Sequence, residues 1–228
     1  MAVTTVTVTV RMITVQTLNY YKIALLVLLM LALLSLQIFV VAVLLEAGKS
    51  KEVNSHSNYW LDMAETLSVD NPDVYEAQAY YYRAQALNGY EVGAAFRVND
   101  VPKERVALEL SLKYWQQAQK ASPLWPYYQL GAWDVEVLLN SSEQVIQDRL
   151  SAILTLAPNE RGLDRALLQL SFSAWPKLSQ GQKTFMLDRL KNRNHKLLKS
   201  VFLIAKAAGN HQAICVNLPW KKIRRLCR

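Results

Sequence analysis

Residues 23–45 read IALLVLLMLALLSLQIFVVAVLL, 23 consecutive positions without a charge, bounded by Lys22 and Glu46. At about 1.5 Å per residue this makes a helix of roughly 34 Å, enough to cross a hydrocarbon core of about 30 Å with some tilt. Ser35 and Gln37 are its only plainly polar members. A hydroxyl such as that of Ser35 can bond a carbonyl one turn back, and Gln37 either meets a partner helix or is tolerated alone. A cleaved signal peptide has a shorter apolar core and small residues before the cut, whereas this run ends Leu45-Glu46-Ala47-Gly48. A lipoprotein needs a Cys just after the apolar stretch, and none stands there. A core helix of a soluble protein keeps a polar face, which this run lacks. The sequence therefore predicts an uncleaved single-pass transmembrane helix over 23–45.

The rest of the chain reads differently. Mean hydropathy is only +0.04 despite 52% hydrophobic residues, so the apolar run holds much of the excess. The 228 residues suffice for one ordinary domain and an anchor. Seven Gly and seven Pro are few for a loop-rich or all-β architecture and suit helices broken at intervals.

The expected division is a leader over 1–22, the membrane helix, a polar linker over 46–57, a helical domain over 58–219 and a basic tail over 220–228. In the leader, Val6-Thr7-Val8-Thr9-Val10 alternates with the period of a strand. A lone strand is unstable in water, so this segment either pairs with a partner's sheet edge or stays unstructured. Beyond Asn58 helical periodicity persists, and its breaks are marked. Asn71-Pro72, Asn88-Gly89, Asn99-Asp100-Val101-Pro102, Ser122-Pro123, Asn140-Ser141-Ser142-Glu143 and Ala157-Pro158-Asn159 carry cap and stop chemistry. Later helices are expected near 160–173, 179–192, 194–208 and 210–217. The fold class is all-α: one N-terminal transmembrane helix followed by a tetratricopeptide-like antiparallel helical-repeat domain. Trp115-x2-Ala118-x4-Pro123 is matched 35 positions on by Leu150-x2-Ile153-x4-Pro158. Tetratricopeptide units have a period of about 34 residues and end their second helix this way. Tyr127-x2-Leu130-Gly131 echoes the start of the unit's first helix, with Gly131 allowing close helix approach. An irregular helical bundle remains the alternative.

Charge is unevenly spread. Residues 46–178 carry 12 Lys or Arg against 17 Asp or Glu, a net of −5. Residues 179–228 carry 12 basic residues against Asp188 alone, a net of +11. Lys221, Lys222, Arg224 and Arg225 are the candidate contacts for an anionic partner, an acidic glycan or anionic lipid; the alternative is a solvated face ending in a disordered tail. Near the apolar helix, Arg11, Lys22 and the α-amino group face Lys49 and Lys51 across the span. The balance favours the N-terminus inside and the helical domain outside, which in a bacterium is the periplasm. In that compartment Cys215 and Cys227 are a candidate disulfide; two free thiols are the alternative.

Chemistry is scarce. No two glycines form a G-x-G arrangement, and no His lies in a nucleophile motif. Asp62/Glu65 and Asp134/Glu136 are ordinary helix-surface spacings. His195, His211, Cys215 and Cys227 form the best metal set, but only His211 and Cys215 are close in sequence, and structural zinc sites use two close pairs. A helix-start His and a packed Cys explain that pair equally well. The aromatic residues from Tyr80-Tyr81-Tyr82 to Trp175 either stack on sugars or bases or fill gaps between helices, and core filling is the expectation. No catalytic, cofactor or metal site is expected. Nucleic-acid binding through the tail would need the opposite topology and is not expected.

Ala118-x4-Pro123-x-Trp125, Leu156-Ala157-Pro158-Asn159, Trp175-Pro176-Lys177-Leu178, Ala208-Gly209 and Leu218-Pro219 together resemble the VpsP family, over roughly residues 60–219. These are small bacterial inner-membrane proteins associated with exopolysaccharide biosynthesis. The resemblance implies that cellular process and no catalytic residues. The expected function is a non-catalytic, membrane-anchored adaptor in exopolysaccharide biosynthesis or export, partnered by a protein of the assembly complex. A helical scaffold of a pilus, secretion or division apparatus is the alternative.

Overall fold

The computed structural model describes the backbone of residues 3–49, 55–88 and 101–227, with side chains over 21–49, 57–87 and 103–227. Among the described residues the chain is all-helical. Helix α1 runs unbroken from Val3 to Gly48. The alternating segment Val6–Val10 is thus helical, a correction to the strand-like reading. β-Branched alternation is a weak preference, and adding turns to an existing helix needs no new nucleus, whereas a strand needs a ladder partner.

From Tyr21 to Gly48 α1 is long and apolar enough to cross a membrane. Its side chains from Tyr21 to Phe39 are exposed. Ser35 Oγ donates to the Ala32 carbonyl at 2.8 Å, so this hydroxyl is satisfied within the helix. The last turns behave otherwise. Val41, Leu44 and Leu45 are buried with Leu61 and Ala64 of α2 (Ser55–Leu67) and Val74 and Ala77 of α3 (Pro72–Asn88). The apolar run therefore does two jobs, and its end is a core strip of the helical domain. Residues 50–54 of the expected linker lie outside the described residues, and α2 already begins at Ser55.

Helix α4 (Val101–Ala121) lies along α3. Its inward stripe, Ala107, Ser111, Trp115 and Ala118, recurs every three or four residues, and its small members let the helices approach closely. Ser111 Oγ donates to the Ala79 carbonyl at 2.7 Å across that contact. The expected cap at Asn99-Asp100 lies outside the described residues.

Helix α5 (Pro126–Leu138) opens with Pro126 in its first turn, where a missing N–H costs nothing. Asn140, at φ 55°, ends it, and Ser142 caps α6 (Glu143–Leu156) by accepting from the Val145 N–H. Helix α7 spans Asp164–Ser173, and a 3₁₀ turn at Trp175–Lys177 leads to α8 (Gln180–Lys191). Ser179 and Gln182 form a capping box on α8. Asn194 caps α9 (His195–Ala207) through the Leu197 N–H at 2.9 Å. Gly209, at φ 74°, turns the chain into α10 (His211–Asn217).

Residues 220–227 of the segment expected as a tail over 220–228 instead add α11 (Trp220–Ile223) and fold back on the domain, and Arg228 lies outside the described residues. Ile223 is 0% exposed and sits in the same core as Phe172, Met186 and Phe202. One buried isoleucine contributes about 1.5–3 kcal/mol, and the chain beyond it is covalently fastened.

From α1 to α6 each helix packs mainly on its neighbours in sequence, whereas α7 packs chiefly on α9. In addition, α5 packs on α7, so alternate helices share a layer. Four buried or half-buried ion pairs lock this stack. Arg149 of α6 holds Glu136 of α5 at 2.6 Å and also donates to Gln119 and Gln129. Asp164 receives Arg189 at 2.5 Å and Arg193 at 2.7 Å. Arg83 of α3 pairs with Asp134 of α5.

Candidate functional site

The four basic residues of 221–225 come together with two that sequence reading did not join to them. The α8–α9 turn supplies Arg193 and His195, which with Leu198, Lys221, Lys222, Arg224 and Arg225 line a cavity of about 530 Å³. Three constraints bring these separate segments into one basin. Ile223 buries its side chain between the bases. Lys222 Nζ donates to the Lys191 carbonyl at 2.7 Å, at the end of α8 where the helix dipole favours a cation. Cys215 of α10 and Cys227 form a disulfide, with Cα atoms 5.9 Å apart.

The basin holds five permanent cations, Arg193, Lys221, Lys222, Arg224 and Arg225. Asp164 offsets only part of one of them, since its single charge is shared between Arg193 and Arg189. The surplus favours a multivalent anion, phosphate or carboxylate, and two guanidinium forks can grip such groups bidentately. His195 adds a ring that either donates or accepts. The signal that could have found Arg193 and His195 is the Asn192-Arg193-Asn194 turn, whose cap fixes where α9 begins.

The other residues weighed for chemistry are held elsewhere. Cys215 and Cys227 spend their sulfurs on one another. His211 packs its ring edge-on against Phe202. No group of three metal-binding side chains occurs among the described residues. Asp62 and Glu65 both accept from Gln78 Nε2, at 3.1 and 3.3 Å, and Glu65 also accepts from the Tyr114 hydroxyl. That contact and burial raise the Tyr114 pKa, burial being the larger cause. Asp134 and Glu136 each hold an arginine. These carboxylates are interhelix ties.

The aromatics divide. Trp115 and Trp133 fill the core, whereas Tyr80, Trp125 and Tyr127 are exposed. Those three line a second cavity of about 570 Å³, between α3, α5, α7 and α9, with Arg83, Asp134 and Gln169 on its walls. Glu76 at its edge has a raised pKa, because burial disfavours its charge and Asp73 repels it, against a smaller opposing pull from Lys49.

No protein family, no curated protein and no solved structure matches the chain.

Proposed function

We propose that this chain is a non-catalytic, membrane-anchored adaptor of bacterial exopolysaccharide biosynthesis or export, recruiting an acidic partner protein through its basic basin. The observation that carries the reading is the continuity of α1. An exposed apolar segment runs without a break into the core of the helical domain, so the domain is tethered and not merely linked. The resemblance of the Trp175-Pro176-Lys177-Leu178 and Leu156-Ala157-Pro158-Asn159 segments to the VpsP family supports the process.

The disulfide supports placing the domain on the oxidising, periplasmic side of the inner membrane, with the N-terminus in the cytoplasm. The packing of α5 on α7 and α7 on α9 supports a tetratricopeptide-like array, as alternate helices line one face in such stacks. Trp115 and Leu150 are both buried, as are Ala118 and Ile153, which fits the matched positions of a repeat. A non-catalytic role fits the engagement of Asp62, Glu65, Asp134 and Glu136 in ties between helices.

The test is affinity capture from bacterial membranes with the full chain and with a K221E/K222E/R224E/R225E variant. The native chain is expected to resist alkaline carbonate and to co-purify with polysaccharide polymerase or export components in low salt. The variant is expected to lose them while staying in the membrane. Capture unchanged by the four reversals would refute the basin as the recruiting surface.

A further inference from the structure

Helices α1 and α2 form an antiparallel hairpin, and its far end lies inside the apolar run. At the near end Gly48 sits on Leu61, 2.6 Å from where a Cβ would stand. At the far end Gln37 Nε2 donates to the Leu67 carbonyl, the last of α2, at 2.6 Å. Between them Val41, Leu44 and Leu45 are covered by protein.

This geometry conflicts with a bilayer spanning 23–45. Gln37 would then lie about 4–5 Å from the bilayer centre, taking the Leu67 carbonyl and the Ser68–Asp70 turn with it. Asp62 stands about 7–8 Å further along α2, so its exposed carboxylate would also sit in hydrocarbon. A charge at the bilayer centre costs about 2.5–3.5 kcal/mol, and this carboxylate would bear part of that cost in addition to the buried polar turn. The burial of Val41, Leu44 and Leu45 by α2 and α3 removes the need for lipid around them.

We propose that the bilayer surface lies at Gln37, and that the α2–α3 turn rests on it as a second membrane contact. Leu67 is 38% and Val69 87% exposed, and both belong to the turn that the Gln37 bond ties to the entering helix. Their side chains enter the interfacial layer of the lipid. Asp70, in a left-handed conformation at φ 46°, turns the chain back into water, where its carboxylate accepts from the Tyr75 hydroxyl. With Asp70 and Asp73 flanking it, the contact is apolar and needs no anionic lipid. From Gln37, a crossing of about 20 residues reaches back to about residue 17, within the unbroken α1. Lys22 then falls near the opposite face, within snorkelling reach of water.

The inference rests on the anchored reading, and the experiment separates the two. A V69C variant of the full chain, its native disulfide intact, is labelled with bimane in phosphatidylcholine nanodiscs containing headgroup nitroxide lipid. The same label at Val145, exposed on α6, is the reference. Quenching at position 69 is expected to exceed that at 145 at least twofold, and to persist in 1 M salt. Equal quenching at both positions, in a chain that resists alkaline carbonate, overturns the turn contact alone. Release of the chain by carbonate overturns the anchor and the contact together.

Discussion

Gly131 of α5 lies flat on the indole of Trp115 of α4, so closely that a Cβ at position 131 would stand 2.4 Å from ring atom Cζ2. Gly181, on α8, has nothing within 4 Å of the same point. Two alanine substitutions should therefore act with opposite sign. Gly131→Ala forces the buried ring to move, costing about 1–3 kcal/mol against about 1 gained in helix propensity. Gly181→Ala meets open space and is expected to add about 0.5–1 kcal/mol. Urea unfolding followed by circular dichroism would read both, and equal effects would refute the packing account.

Asp164 serves two arginines in a site where it and Arg189 are each 6% exposed. Arg189 also reaches the carbonyls of Pro158 and Glu160, so it cannot swing into water without breaking the α6–α7 turn. Asp164→Ala leaves a buried guanidinium unpaired and is expected to destabilise by about 3–5 kcal/mol. A midpoint shift in urea worth less than 1 kcal/mol would contradict this.

Burial, together with Asp73 and Glu76, pushes the Tyr128 phenol up to about 12 from its ordinary 10.0. The folded chain thus keeps a proton that the unfolded chain releases. The resulting stability is intact below about pH 10 and is lost as pH rises towards 12, at about 1.4 kcal/mol per pH unit for this group. Tyrosinate absorbance at alkaline pH should show one phenol fewer titrating late in Tyr128→Phe.

Reduction of Cys215–Cys227 opens a loop spanning 12 positions. The expected cost is about 2–3 kcal/mol, and the buried Ile223 and the Lys222–Lys191 hydrogen bond then hold α11 in place. Trypsin should cut after Arg224 and Arg225 many times faster in reductant than without it. Unchanged cleavage would mean that those two contacts alone fasten the segment.

Much of this architecture was legible in the sequence because its breaks are chemical. Asn71-Pro72, Ser122-Pro123 and Ser142 are caps or stops whose mechanism is local, and helices begin and end beside them. Gly131 was legible as a close approach, but its neighbour Trp115 was not, because which ring meets which glycine depends on how α4 and α5 cross. The alternation at Val6–Val10 misled because propensity yields to the helix it adjoins. The double use of the apolar run was illegible for a different reason. Val41 and Leu44 have the composition that lipid and protein interior both accept, and only the partner helix distinguishes them. The basin was half legible. Its four tail bases are adjacent, while Arg193 and His195 arrive only when Ile223 is buried and the cysteines are joined.

Between Tyr21 and Gly48 the first helix contains no proline and no interior glycine, and its final turns are clasped by α2 and α3. It is consequently a lever without a hinge. A lateral pull or a twist on its bare half is delivered to the helical stack as rotation of the whole body, and a load on the stack travels back along the same shaft.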